Sequence, residues 1–228
     1  MSSTVSLFLQ VLPLALGAAF SPTFLAMQVV VLTSPAPGAV RRGWALAAGS
    51  MVALLLVSFG GLSLLASLPD FQTGQPSYPQ AIIFTLAGAA LLVVALVLSR
   101  RRPQRRHSKL MSSVGDARPP LLFAIGALRL LVNATTLALY IPALHAITHS
   151  TVDVAAKALV FLMLFAITEI AVVGPVLAVT LLGDRAKPVL TGIHEAIDKH
   201  SRALTIWTCV GFGVVLVGVG VRVFIQVG

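Results

Sequence analysis

Long apolar runs, parted by short polar stretches, set the pattern of this chain. The runs fall near residues 5–33, 44–68, 80–99, 121–148, 155–182 and 203–227. Segments such as LAGAALLVVALVL show no two-residue alternation, so they read as helices and not as the strands of a membrane barrel. A spanning helix needs about 20 apolar residues, so the pattern predicts six spanning helices. The separators are SPAPGAVRR, PDFQTGQPSYP, RRRPQRRHSK, HSTVD and GDRAKPVLTGIHEAIDKH. Within the last, Val189, Leu190, Ile193 and Ile197 recur at helical spacing. Residues 184–200 therefore read as a short amphipathic connector lying on the membrane interface, with Pro188 in its first turn.

Composition strengthens this picture. Apolar residues make up 57% of the 228, and charged residues only 10%, against about 25% in soluble domains. Mean hydropathy is +0.98. Seven acidic and 16 basic side chains cannot clothe such a chain in water. A soluble enzyme, a secreted disulfide scaffold and a nucleic-acid-binding domain are excluded. The one cysteine, Cys209, leaves no partner for an internal disulfide or a dithiol pair. Gly17, Ala18 and Ala19 resemble a signal-peptide cleavage site, but no Lys or Arg precedes the apolar run, and it continues past Pro22. The run reads as the first span.

The net charge of +9 is a topology signal. Arg41 and Arg42 follow the first span. Arg100, Arg101, Arg102, Arg105, Arg106, Lys109 and Arg118 follow the third. Arg185, Lys187, Lys199 and Arg202 follow the fifth. Alternation puts these 13 of the 16 basic residues on one side. The positive-inside rule makes that side cytoplasmic and puts both termini outside a plasma membrane. Anionic headgroups are natural partners for the same charges.

Three spans, a basic loop and three more spans predict a duplication: residues 1–99 as one repeat, 100–120 as a cytoplasmic loop, and 121–228 as the second. An odd number of spans makes the second copy insert upside down, the plan of many secondary transporters. The expected fold class is all-α, with six transmembrane helices in two inverted three-helix repeats. Corresponding spans carry polar interruptions, Ser21-Pro22-Thr23 in the first and Asn133-Ala134-Thr135-Thr136 in the fourth. Breaks at matching places point to a central site. Pro22 removes a backbone donor, and Asn133 suits a helix cap. Each is equally explained by a kink or by a hydrogen bond between helices.

The remaining polar residues of the spans fall in stripes. Gln10, Gly17, Ser21 and Gln28 share one face of the first span, and Arg129, Asn133, Thr136 and Tyr140 one face of the fourth. Glu169, beside Thr168, stands among aliphatics in the fifth, ahead of Gly174 and Pro175. A charge at the bilayer centre costs at least about 2.5–3.5 kcal/mol. Arg129 and Glu169 therefore form either a structural ion pair or a functional pair, with Arg129 holding an anionic headgroup and Glu169 carrying a proton. Pro175 makes a hinge or a kink, and Gly211, Gly213, Gly218 and Gly220 permit close helix contact.

Several chemistries are missing. His145 and His149 have a metal-compatible spacing but no accompanying carboxylates, and they suit an interfacial pair better. There is no phosphate-binding Gly-rich loop and no nucleophile elbow. No cofactor, no metal, no nucleic-acid partner and no enzymatic activity are expected.

The segments AFSPTFLAM, LRLLVNATTLALYIPAL and VVGPVLAVTLLGDRA, with the basic central loop, resemble the GAP or sulfolipid-addressing proteins. That family is typical of mycobacteria and is placed within the lysine-exporter (LysE) superfamily. The resemblance covers essentially the whole chain. The Asn-Pro-Lys signature common in the family's fourth span reads Asn133-Ala134-Thr135 here. The resemblance implies movement of a lipid or glycolipid toward the cell envelope, with Ser21, Pro22 and Asn133 matching the family motifs. The expected substrate-binding residues are Ser21, Pro22, Gln28, Arg129, Asn133, Thr136, Glu169 and Pro175. The alternatives are an exporter of amino acids or other small solutes, and a non-transporting scaffold of a lipid-export complex. The scaffold needs Arg129 and Glu169 tightly paired. A homodimer or a larger export complex completes the expected partners.

Overall fold

The computed structural model describes residues 3–19, 21–66, 78–100, 114–115 and 117–227. Its elements are α1 (Ser3–Ala19), α2 (Pro22–Thr33), α3 (Ala39–Ala66), α4 (Tyr78–Arg100), α5 (Pro119–Val132), α6 (Ala134–Thr148), α7 (Val154–Leu182) and α8 (Ala186–Val227). No strand occurs among the described residues. Residues 67–77 and most of the basic 100–120 loop lie outside the described residues.

Local chemistry explains the boundaries. Pro22 and Pro119 each occupy the first turn of a helix, where the missing N–H is no loss. Asp153 caps α7 by accepting from the Ala156 N–H at 3.3 Å. Gly183, at φ +60°, ends that helix in a conformation other residues resist.

Helices α3, α4, α7 and α8 are each long and apolar enough to cross a membrane. The pairs α1–α2 and α5–α6 reach that length only together, bent by 54° and 69° at their breaks. The described residues thus hold four to six candidate spans, and over those residues each predicted apolar run falls on one of these helices or pairs.

The connector expected at 184–200 is not a separate helix. After a single 3-10 turn at Gly183–Arg185, α8 runs unbroken for 42 residues. The reason is local: Pro188 lies in the first turn, and the one glycine beyond it before the span, Gly192, costs about 1 kcal/mol, too little to stop a helix. Ala186 and Leu190 pack into the main core, while the side chains of 193–200 lie outside the described residues.

Two helix pairs touch backbone to backbone. A Cβ at Gly126 would overlap the Leu46 carbonyl, and one at Gly49 the Phe123 carbonyl, so α3 and α5 interlock. Likewise Gly88 faces Gly213, and Gly220 faces Thr85 and Ala81, joining α4 to α8. Of the four glycines expected to pack, Gly213 and Gly220 do so, and Gly211 and Gly218 face open space. The main core gathers Val11, Phe24, Leu54, Tyr140, Leu164 and Val176 from α1, α2, α3, α6 and α7.

Candidate functional site

The two breaks meet. Ser21 has φ −128° and ψ 84°, and Asn133 has φ −78° and ψ 83°. Neither can continue a helix. Asn133 closes α5 through its N–H to the Leu130 carbonyl at 3.0 Å. Its side chain opens α6, accepting from the Thr136 N–H at 3.4 Å. The same amide donates to the Thr136 hydroxyl at 2.9 Å and to the Ser21 hydroxyl at 3.2 Å. Thr136 donates in turn to the Ala18 carbonyl at 3.0 Å, one of the groups α1 leaves unpaired at its end. Pro22 does not kink a continuing helix: it starts α2. The N-termini of α2 and α6, each with a partial positive charge, therefore adjoin one polar junction made by Ser21, Asn133 and Thr136.

Glu169 is 3% exposed. The Ser50 hydroxyl donates to Oε1 at 3.0 Å, and Oε2 has no partner. Arg129 is half-buried, and its Nε also has no partner. The two form no ion pair, which removes the structural-pair reading. Gln28 is fully buried; its amide donates to the Gly43 carbonyl at 3.0 Å and ties α2 to α3, while its Oε1 is unpartnered. Thr168 spends its hydroxyl on the Leu164 carbonyl of its own helix. Pro175 is buried within α7, which continues through it. Among the described residues, the sequence-expected residues thus separate into a junction, a buried acid without a cation, a cation without an acid, and a helix tie.

Three further polar residues escaped sequence reading. Ser50 and Ser58 lie on α3 and are both fully buried. Ser58 shares a 2.7 Å hydrogen bond with the Tyr140 hydroxyl and donates to the Leu54 carbonyl. Serines in membrane helices so often bond their own carbonyls that sequence carries no sign of such a role. Arg42 was counted as a loop charge, yet it is 5% exposed. Its guanidinium donates to the carbonyls of Gly115 and Ala36. Nothing in the sequence marks this, since the apolar run begins only after it, whereas the helix begins at Ala39.

His145 and His149 stack with ring centroids 4.4 Å apart, and the edge of Phe84 meets His145. Lys157 donates to the Thr148 carbonyl at 2.9 Å. Burial, helped by the Lys157 charge, holds His149 below its ordinary pKa. Among the described residues, no three metal-ligating side chains gather.

The family model described as Sap, sulfolipid-1-addressing protein, matches residues 11–222, which include both breaks and every helix from within α1 to within α8. This chain belongs to the sulfolipid-addressing family. No curated protein and no solved structure matches it. Membership ties this chain to a lipid-related role in a membrane, in accord with its helices.

Proposed function

We propose that this protein is a carrier, not an enzyme, that moves a lipid or glycolipid with an anionic headgroup across the plasma membrane toward the cell envelope. On this reading each bent pair is one span, and six spans form two inverted halves, α1–α4 and α5–α8, as in the lysine-exporter superfamily. The pattern of helix contacts supports it. Exchanging the halves turns α3 on α5 into α7 on α1, α4 on α6 into α8 on α2, and α2 on α7 into α6 on α3, and each of these pairs packs together. The near-equal ψ values at Ser21 and Asn133 follow the same exchange.

The observation that carries the proposal is the bond between those two residues. Discontinuous helices that meet inside a bundle are how carriers build a substrate site at mid-membrane. Ser21, Pro22, Asn133 and Thr136 form its floor, and Arg129 meets the headgroup charge. Glu169, buried without a cation, takes up and releases the driving proton. Gln28 and Pro175 hold the helices around it. A non-transporting scaffold requires the Arg129–Glu169 bond that this chain lacks. The basic loops face the cytoplasm and both termini face outward; membrane lipids surround the carrier, and a second copy or an export complex is compatible with its apolar faces.

The test is flux of a fluorescent sulfated glycolipid from proteoliposomes under a pH gradient. The wild type should move it, and Glu169→Gln should abolish the dependence on the gradient. Lysine flux without glycolipid flux would replace this reading with a small-solute exporter. Orientation is checked by impermeant thiol labelling of cysteines at Ser77 and Ser113, both outside the described residues. Ser77 should label in intact cells and Ser113 should not.

A further inference from the structure

Half-helices α1 and α5 hold corresponding places in the two halves, but their surroundings differ. Helix α1 packs against both α6 and α7 and touches α8. Helix α5 packs along α3, and otherwise meets α6 only slightly, with Leu122 in one apolar cluster with Leu46 of α3 and Met27 and Val31 of α2. Among the described residues, one flank of α5 has no helix beside it. Leu121, Leu128, Leu131 and Val132 lie there, 48–66% exposed. The opposite stripe, Leu122, Gly126 and Leu130, is buried.

Arg129 falls on the helix wheel between that stripe and that flank. Among the described residues it has no hydrogen-bond or ion-pair partner, and its buried Nε meets no acceptor. A guanidinium in an apolar setting is costly, and no described residue offsets it. Helix α1 carries no charged residue at all, so the feature belongs to one half only.

We propose that the open flank of α5 is where an anionic lipid docks sideways from the leaflet at the basic end of the bundle. The sulfate or phosphate of its headgroup pairs with the fork of Arg129. Its acyl chains lie along Leu121, Leu128, Leu131 and Val132. Asn133 stands four residues beyond Arg129, roughly 6 Å along the helix axis, so a docked headgroup is one turn from the junction with Ser21. The flank thus selects an amphiphile over a water-borne anion, because the cation and the apolar surface are adjacent. This inference rests on the carrier reading for its purpose, but its test measures docking without transport.

The full-length protein is placed in phosphatidylcholine nanodiscs with traces of phosphatidylglycerol bearing a photoactivatable acyl chain, and adducts are mapped by mass spectrometry. Adducts should fall within residues 119–132, about ten-fold above those from a matching phosphatidylcholine probe, the selectivity of one charge-assisted contact. A sulfated glycolipid should compete, and inorganic sulfate should not. Arg129→Met should lose the selectivity and Arg129→Lys should keep most of it. Equal labelling by the two probes, or unchanged selectivity in Arg129→Met, overturns the proposal. Competition by inorganic sulfate alone reassigns Arg129 to a water-borne anion and overturns it as well. The wild-type competition decides even where Arg129→Met does not fold. Docking without flux would sink the carrier reading and leave this one standing; flux without headgroup selectivity would do the reverse.

Discussion

Asn133 donates a hydrogen bond to Ser21 across 112 residues of sequence, joining the two points where the chain interrupts its own helices. Asn133 also serves both ends of its break, through Leu130 and Thr136. Asn133→Ala should therefore destabilise the protein by about 1–3 kcal/mol, and Ser21→Ala by less, since Ser21 forms one of these bonds and loses no cap. A double-mutant cycle should return a coupling of about 0.5–1.5 kcal/mol. Denaturation in detergent measures it, and zero coupling would mean that the breaks do not support one another.

Arg129 and Glu169 make no ion pair, so their neutral replacements should not compensate each other. Arg129→Gln and Glu169→Gln should combine additively in thermal stability, to within about 0.3–0.5 kcal/mol. Glu169→Gln keeps the acceptor for Ser50 and should fold; if the carrier proposal holds, it should lose the dependence of flux on a pH gradient. Recovery of both stability and flux in the double mutant would restore the ion-pair reading.

Glycine substitutions should divide by position. Gly126→Ala forces a methyl into the Leu46 carbonyl, and Gly220→Ala one into Thr85. Each should cost about 1–3 kcal/mol or more, because backbone cannot yield as a side chain can. Gly218→Ala meets nothing within 4 Å and should gain up to about 1 kcal/mol from helix propensity. Melting temperatures of the three variants settle the matter, and a tolerated Gly126→Ala would contradict the α3–α5 contact.

Acid should weaken the far end of α6. The folded protein favours neutral His149, whose pKa lies below the ordinary 6.5. The unfolded chain then binds the proton more readily, so stability should fall as the pH drops below about 6.5. His149→Gln should flatten the part of this slope that His149 contributes. A melting temperature that rises on acidification, or a slope that His149→Gln leaves unchanged, would contradict the assignment.

Much of this could be read before any coordinates. Apolar run length located the helices, and Ser21, Pro22 and Asn133 stood out because a polar break inside an apolar run is costly without a purpose. The two breaks were legible because Pro22 lacks a backbone donor and Asn133 suits a cap; that Asn133 and Ser21 bond each other was not. Which helices neighbour one another was not, since lipid-facing and helix-facing residues are equally apolar. Ser50 was therefore invisible as the partner of Glu169, and Arg129 could not be told from the acid's counter-ion. The connector before α8 failed for another reason: amphipathic periodicity reports a helix but not where it stops.

The Arg42–Gly115 bond also bears on how the protein is made. Its two ends are 73 residues apart, and a ribosome adding about 5–20 residues per second separates them by roughly 4–15 s. Throughout that interval the acceptor of the guanidinium does not yet exist. The surrounding headgroups and water must satisfy the charge until the linker arrives. Synthesis of the linker's end thus sets the earliest moment at which α3 can be tied to it.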